Sequence, residues 1–328
     1  MSEFFGAYGL FLVELATLVA IVLVVVLVLV TNARRVGDRE GLTIKHLNEQ
    51  MEQTAQQLKR VLLPKVEFKK GAKALAKARK ARRRGKGEAT ARRRRIFVLD
   101  FKGDIRAAAT ASLREEVSAI LGVAQDSDQV LLRLENAGGA VHEHGLAASQ
   151  LLRLKARGLH LAIAVDKVAA SGGYLMACVA DRLMAAPFAI VGSIGVIAQL
   201  PNFHRWLEEQ GVDFEQITAG RYKRTLTLFG ENTDEGRQKL KQELEDVHAL
   251  FKAQVAAERP QVDIEHIATG EHWYGTQALA LKLIDEIGTS DDFLLEAAAD
   301  SDLYHIAFKR RRPLVERVLG SAESLLSR

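Results

Sequence analysis

The sequence predicts a parallel α/β domain, because short apolar segments of strand length alternate with longer amphipathic segments from residue 96 onward. The apolar segments are Ile96–Phe101, Gln129–Leu134 and His160–Asp166, and helices are predicted near 109–125 and 143–157 between them. Strands separated by helices of this length favour a parallel sheet with helices packed on its faces.

The same pattern continues towards the C-terminus. A helix is predicted to begin at Ser171, and an apolar stretch, Arg182–Ala186, follows it. Further helices are expected near 201–210, 232–258 and 276–285. We therefore assign the folded core to residues 96–295 and treat 296–328 as a C-terminal extension.

The N-terminal part contains a candidate membrane anchor. Residues 10–30 form an apolar run of 21 residues in which Glu14 is the only ionisable group. As a helix this run would be about 31 Å long, enough to cross a bilayer. A cleaved signal peptide is the alternative, but no Lys or Arg precedes the run. We expect a retained transmembrane helix within residues 1–31.

A stalk and a basic segment, residues 32–95, are predicted to connect the anchor to the core. Residues 42–63 have near-helical apolar spacing, which suggests an amphipathic or coiled-coil stalk. Residues 69–95 contain 14 Lys or Arg against Glu88 alone, and this charge favours a mobile linker. The linker could bind anionic lipid headgroups or nucleic acid phosphates. No aromatic residue lies between Phe68 and Phe97 to stack on bases, so lipid is favoured and nucleic acid disfavoured.

The cysteine and histidine content argues against a metal or a cofactor. Cys178 is the only cysteine and lies in an apolar stretch, which excludes an internal disulfide and indicates core packing. His142 and His144 are two residues apart, so on a helix they point to different faces and are expected to be solvated. A GxGxxG dinucleotide fingerprint is also absent at Gly138–Gly139.

Ser171 is the candidate nucleophile. It follows an apolar strand and opens a helix whose first residues are Gly172 and Gly173. The free amides of a first helical turn can stabilise an oxyanion, and the glycines permit a sharp turn and close approach of a substrate. A helix-capping serine would explain the motif equally well.

Two glycines at the end of another strand are candidates for the second oxyanion donor. Gly138 and Gly139 follow the apolar strand that ends at Leu134. Active sites collect at the carboxyl ends of parallel strands, and a glycine there can turn its N–H towards a substrate beside that of Gly172. An ordinary strand-to-helix turn is the structural alternative.

Lys223 is the candidate base, because no histidine stands where a Ser-His-Asp triad could be assigned from sequence. A free lysine is almost wholly protonated at neutral pH, so it acts as a base only when burial lowers its pKa. The hypothesis therefore requires that Lys223 be buried. An exposed loop lysine beside Arg221 and Arg224 is the alternative.

Taken together and in order, these motifs resemble the signal peptide peptidase A family of serine proteases, and their layout resembles its SohB branch. The matching segments are ENAGGAV at 135–141, AASGGYLMACVADRLMAAP at 169–187, VGSIGV at 191–196, AGRYKRTLT at 219–227 and WYGTQALALKLIDEIGT at 273–289. They cover most of the chain from residue 135 to residue 289.

The resemblance implies a crotonase-like spiral of ββα units, shared with the ClpP peptidases. It implies Ser171 as nucleophile, Lys223 as general base and Ser193 as the residue that positions the lysine amine. The implied oxyanion donors are the amides of Gly172 and of Gly138 or Gly139. No cofactor is implied.

The reaction implied by the resemblance is peptide hydrolysis through an acyl-enzyme, on membrane-associated peptides such as signal peptide remnants. The resemblance also implies a homo-oligomer in which nucleophile and base meet across a subunit boundary. Two alternatives stay open: a non-proteolytic crotonase-like acyl enzyme, and a membrane scaffold that uses the basic segment.

The residues and the resemblance predict opposite sides of a bacterial inner membrane for the catalytic domain. Arg34, Arg35 and Arg39 follow the apolar run and no basic residue precedes it, which predicts a cytoplasmic domain. The resemblance implies the periplasmic side.

Overall fold

The computed structural model describes residues 15–21, 40–83 and 93–310. One compact unit spans Leu42–Phe308, and a second unit combines the two ends of the chain, Met1–Gly41 and Lys309–Arg328. Within the second unit, residues 15–21 form a helical stretch with exposed side chains. None of the helices in the described residues is long and apolar enough to cross a bilayer. Most of the predicted span, residues 10–30, lies outside the described residues.

Strands and helices alternate through the compact unit, as the sequence predicts. The strands are β1 Gly41–His46, β2 Arg94–Lys102, β3 Gln129–Glu135, β4 His160–Val165, β5 Val168–Ala170, β6 Arg182–Ala185, β7 Ile190–Gly192, β8 His272–Tyr274, β9 Glu286–Ile287 and β10 Ser301–Lys309. The helices are α1 Leu47–Leu62, α2 Lys65–Arg83, α3 Thr110–Leu121, α4 Val141–Ala156, α5 Gly172–Ala177, α6 His204–Glu209, α7 Asp234–Glu258, α8 Ile264–Ile267, α9 Gly275–Ala280 and α10 Ser290–Ala297.

The main sheet has seven strands in the order β1-β10-β2-β3-β4-β6-β9. The pairs from β10 to β9 are all parallel, which confirms the predicted α/β class. Central strands covered on both faces need apolar residues at every position, and Ile96–Leu99 and Leu161–Val165 are almost fully buried throughout. The apolar runs in the sequence are therefore the middle of this sheet.

A second, smaller sheet holds the strands that precede Ser171 and Ser193. It contains β5, β7 and β8, of which β5 and β7 are parallel and β7 and β8 antiparallel. The chain passes from the main sheet to the small sheet twice, from β4 to β5 and from β6 to β7. Each passage adds one strand to both sheets.

The sheet extends beyond the predicted core of residues 96–295. Residues 41–46, expected to belong to a helical stalk, form the edge strand β1, and β10 adds residues 301–309 from the expected C-terminal extension. Helix α1 also belongs to the domain, since the Asn48 side chain bonds the backbone of Ser301 and Leu303. These contacts join residues more than 250 positions apart, so no local pattern reveals them.

The basic segment, predicted as a mobile linker, is helical up to residue 83, and its last residues, Arg94 and Arg95, belong to β2. Helix α2 covers residues 65–83, and Ala, Lys and Arg are all good helix formers. Their propensity exceeds the repulsion between like charges, which is weak for solvated side chains. Residues 84–92 lie outside the described residues.

Glu116 makes the stability of the fold depend on pH. It lies on α3 with only 5% of its surface exposed, and it accepts a hydrogen bond from the backbone amide of Phe308 at 2.7 Å. Burial raises the pKa of Glu116 to about 7. The unfolded chain ionises this carboxyl near pH 4.5, so folding free energy is lost as the pH rises from about 4.5 to about 7.

Glu116→Gln is expected to stabilise the protein at pH 8, by up to about 3 kcal/mol, and to change little at pH 4.5. An amide oxygen can still accept the bond from Phe308 but carries no charge to desolvate. Thermal unfolding of the variant at both pH values tests this, with the exposed neighbour change Glu115→Gln as the control. Equal shifts at the two pH values would contradict the assignment.

Candidate active site

Ser171 lies at a strained turn between β5 and α5. Its backbone has φ 51° and ψ −121°, a region that non-glycine residues rarely occupy, and its amide donates to the Gly192 carbonyl at 2.8 Å. Strain of this kind holds a side chain away from the strand and over the start of the helix. The Ser171 side chain is partly exposed, while all six residues of α5 are buried.

Asn136 ties this turn to the end of β3. Its backbone amide donates to the Val168 carbonyl at 2.8 Å, and its carbonyl accepts from the Ala170 amide at 3.0 Å. The two bonds form an isolated parallel bridge to β5. Gly173 packs so closely on this bridge that an added Cβ would lie 2.1 Å from the Asn136 carbonyl oxygen.

The first glycine of the pair after β3 lies against the serine, and the second packs on the backbone of Ile105. Gly138 has φ +94°, and an added Cβ there would lie 2.7 Å from the Ser171 Cβ and 3.0 Å from the Gly172 nitrogen. The Gly138 amide donates to the Asn136 side-chain oxygen at 2.9 Å. Among the described residues, no acceptor is bonded to the amide of Gly139. The first turn of α5 leaves the amide of Gly172 similarly free.

Ser193 belongs to the same site. It follows β7 with φ 52°, and its hydroxyl donates to the Gly270 carbonyl at 3.3 Å. Ser171 and Ser193 line one cleft of about 750 Å³ together with Gly138 and Gly139. The structure thus brings together all the predicted site residues that precede residue 200.

Lys223 does not reach this cleft within the single chain. It is exposed and lies in a turn, where its backbone amide donates a hydrogen bond to the Gly220 carbonyl. The neighbouring Arg221 and Tyr222 contact Glu235 in the first turn of α7 at 2.8 and 3.3 Å. The burial that a lysine base requires is therefore not provided by its own subunit.

Helix α7 supplies cleft residues that the sequence did not reveal. They are Lys241, Leu244, Glu245 and His248. Lys241 lies about 9 Å further along the helix axis than Glu235. Its amine lies 3.8 Å from the Glu245 carboxylate. A lysine thus lines the cleft, but it is an exposed one with an acidic partner. The helical period of α7 predicts its apolar face but not which part of the chain that face meets.

His144 differs from its prediction. It was expected to be solvated like His142, but it is fully buried. Its Nδ1 lies 2.9 Å from the Ala140 carbonyl oxygen and its Nε2 lies 3.2 Å from the Asn136 side-chain oxygen. Gly172 packs directly on the ring, where an added Cβ would lie 2.5 Å from the His144 Cγ.

Cys178 is not a competing nucleophile. It is fully buried behind α5, and burial raises the pKa of its thiol to about 12. A thiol that stays protonated and has no access to the cleft is chemically inert. Its core role agrees with the expectation from sequence.

Gly138→Ala is expected to abolish labelling of the protein by a fluorophosphonate probe, because the new methyl group would press on Ser171 and on the strained backbone. Gly145→Ala on α4 is the matched control, since nothing lies within 4 Å of its added Cβ. Labelling and circular dichroism of both variants provide the measurement. A labelled, folded Gly138→Ala protein would show that the glycine pair does not contact the nucleophile.

Comparisons with known proteins identify the family of the chain. The model named "Peptidase family S49 N-terminal" matches residues 3–151, and "Peptidase family S49" matches residues 153–304. The chain is 47% identical to a probable protease SohB of Haemophilus influenzae, covering 98% of this chain and 94% of the relative. A probable protease SohB of Buchnera aphidicola subsp. Schlechtendalia chinensis is 44% identical, covering 89% and 99%.

Among solved structures, a membrane-bound stomatin-specific protease in complex with a substrate peptide matches 70% of this chain and 98% of its own, with 10% identity and a TM-score of 0.45. Full-length identity to the SohB proteases and the two family models decide the assignment. The chain therefore belongs to peptidase family S49, within its SohB branch, and is a serine-type peptidase.

Proposed function

We propose that the chain is a membrane-anchored endopeptidase in which Ser171 is the nucleophile and Lys223 the general base. The observation that carries this proposal is the position of Ser171, a partly exposed serine on a strained turn beside two free backbone amides. A serine that only capped a helix would not require this backbone conformation.

The reaction proceeds through an acyl-enzyme. Neutral Lys223 takes the proton of the Ser171 hydroxyl as its oxygen attacks the peptide carbonyl. When the tetrahedral intermediate collapses, the C–N bond breaks and the ammonium of Lys223 returns its proton to the departing amine. A water molecule then adds to the acyl-enzyme by the same proton transfers and releases the acid.

The oxyanion is held by the amides of Gly172 and Gly139. Gly138 was an equal candidate from sequence, but its amide already donates to Asn136, whereas that of Gly139 is free. Two amides that have no acceptor before substrate binds can stabilise the developing charge without reorganisation.

Lys223 enters the site from a neighbouring subunit of a homo-oligomer. The segment that bears it exposes an unusual number of large apolar side chains, among them Ile197, Trp206 and Ile217 at 75%, 59% and 94%. An exposed apolar surface of this extent is typical of a protein interface. Removing the lysine from water in such an interface would favour its neutral form, as a base requires. The Ser193 hydroxyl, which lies on the same cleft, would then position the amine.

The substrates are peptides or proteins, and we propose membrane-associated ones such as signal peptide remnants. The cleft offers apolar walls from Val141, Ile197 and Leu244. Apolar walls suit the side chains of a hydrophobic peptide.

The anchor is the apolar run at residues 10–30, which would hold the catalytic domain at a bacterial inner membrane. Charge and family likeness predict opposite sides, the cytoplasm from the arginines after the run and the periplasm from the resemblance. A reporter fused after Arg328 distinguishes the two.

Ser171→Ala and Lys223→Ala are each expected to lose at least about 1,000-fold of peptidase activity, since each removes an essential proton-transfer partner. Co-expression of the two variants is expected to restore about a quarter of the sites if neighbouring subunits share each dyad. Casein hydrolysis and fluorophosphonate labelling of the purified proteins provide the measurements.

The variant Lys241→Ala tests which lysine is the base, because Lys241 lines the cleft of its own chain while Lys223 does not. It is expected to retain activity within about threefold of wild type, as a solvated ion pair contributes little. Loss of activity in Lys241→Ala with activity retained in Lys223→Ala would transfer the base role to Lys241. An assembled but inactive mixture of the Ser171 and Lys223 variants would rule out sharing between subunits.

Removal of residues 1–31 is expected to release the protein from the membrane fraction, because the apolar run is the strongest bilayer-crossing segment in the sequence. Carbonate extraction of membranes from cells that express the full chain and the shortened chain provides the measurement. A shortened chain that stays carbonate-resistant would place the membrane contact elsewhere.

A further inference from the structure

We propose that Asn136 and His144 are positioning residues, which fix the Gly138–Gly139 loop so that one amide stays free for the oxyanion. This inference rests on the proposed function of Ser171. Neither side chain touches the cleft, so neither contacts a substrate.

Asn136 is the centre of the arrangement. It is 1% exposed, and its side-chain oxygen accepts the Gly138 amide at 2.9 Å. This bond holds the peptide plane before Gly138, and the bond from the Ala140 amide to the Ile105 carbonyl, at 2.8 Å, holds the plane after Gly139. The peptide between the two glycines, which carries the Gly139 amide, is therefore confined from both sides. Gly103 packs on the other side of the side chain, where an added Cβ would lie 2.4 Å from the Asn136 Cγ. The absence of a side chain at Gly103 therefore lets the asparagine side chain lie directly against that backbone.

His144 determines which way the Asn136 amide faces. In the tautomer that carries its proton on Nε2, His144 can donate to the Asn136 side-chain oxygen, which lies 3.2 Å away. The Asn136 nitrogen faces the Met176 sulfur at 3.4 Å, a weak acceptor that could not fix the amide alone. Thus His144 and the Gly138 amide share one oxygen, and the imidazole holds that oxygen in place.

The same histidine supports the second oxyanion donor. Its ring lies directly under Gly172, the first residue of α5, whose amide is free. His144 is thus in contact with both halves of the oxyanion site, the loop after β3 through Asn136 and the helix start through Gly172. Both ring nitrogens face oxygen acceptors, those of Ala140 and Asn136, and a neutral imidazole can donate to only one of them.

Matched amide substitutions test the role of His144. In His144→Gln the amide can reach the Nε2 position and donate to Asn136, whereas in His144→Asn it reaches only the Nδ1 position beside Ala140. Asn136→Asp keeps the acceptor for Gly138, and Asn136→Leu removes it at similar volume. His142→Gln, an exposed histidine on the same helix, is the control.

The measurement is the inactivation of the full chain by a fluorophosphonate, resolved into the affinity KI and the rate constant kinact. The phosphonyl oxygen occupies the oxyanion site, so His144→Asn and Asn136→Leu are expected to lower kinact about 10- to 100-fold with KI within about threefold. His144→Gln and Asn136→Asp are expected to recover most of the loss, and His142→Gln to match wild type.

Three outcomes would overturn the inference. These are an unchanged kinact in both His144→Asn and Asn136→Leu, equal losses in the Gln and Asn variants, or a change confined to KI. If Asn136→Leu does not fold, the His144 pair alone decides, because both replacements are polar and smaller than or similar to histidine. The proposed function has a separate test: if Ser171→Ala is labelled like wild type, Ser171 is not the nucleophile. The Asn136 and His144 variants do not bear on that result.

Discussion

The site depends on the parallel bridge between Asn136 and the strand before Ser171. Two backbone hydrogen bonds, of 2.8 and 3.0 Å, join the end of β3 in the large sheet to β5 in the small one. The glycine loop continues from one side of this bridge and the serine from the other. Because both chain segments leave the same bridge, the glycine loop and Ser171 lie next to each other.

The strained turns on this edge are held by the packing behind them. Ser171 and Ser193 both have positive φ, which costs on the order of 1–3 kcal/mol at each non-glycine residue. Behind Ser171, the whole of α5 is buried, and the buried Tyr174 hydroxyl donates to the Leu283 carbonyl at 2.9 Å. The buried Leu175 and Met176 side chains of α5 contribute about 1.5–3 kcal/mol each, enough to offset the strain. Ser171, the proposed nucleophile, thus lies on a well-packed support.

The opposite wall of the cleft is built differently. It comes from α7 and the long segment before it, in which α6 is the only helix between β7 and α7. This segment buries few of its apolar side chains, and the lysine predicted as base is exposed in it. The half of the cleft that holds Ser171, the proposed nucleophile, is complete in one chain, whereas the segment that bears Lys223, the proposed base, exposes apolar side chains.

Local sequence patterns correctly predicted the elements whose structure depends mainly on their own residues. The central strands are continuous apolar runs, and the Ser171 turn follows from a strand, a serine and two glycines in sequence. Strand β1 was not predicted, because apolar and polar residues alternate only weakly in GLTIKH and the segment is a strand through its pairing at the sheet edge. The burial of His144 was not predicted either, since no pattern in its own helix indicates that Gly172 will cover the ring.

Local patterns in the sequence are thus sufficient to predict the α/β class, the place of Ser171 and the two glycine segments beside it, because each depends on residues within a few positions of one another. They do not predict that Asn136 accepts the Gly138 amide, that His144 is buried beneath the helix start, or that Lys223 lies outside the cleft of its own chain. Those facts depend on contacts between segments far apart in the chain, and hydrophobic periodicity carries no information about which distant segments meet.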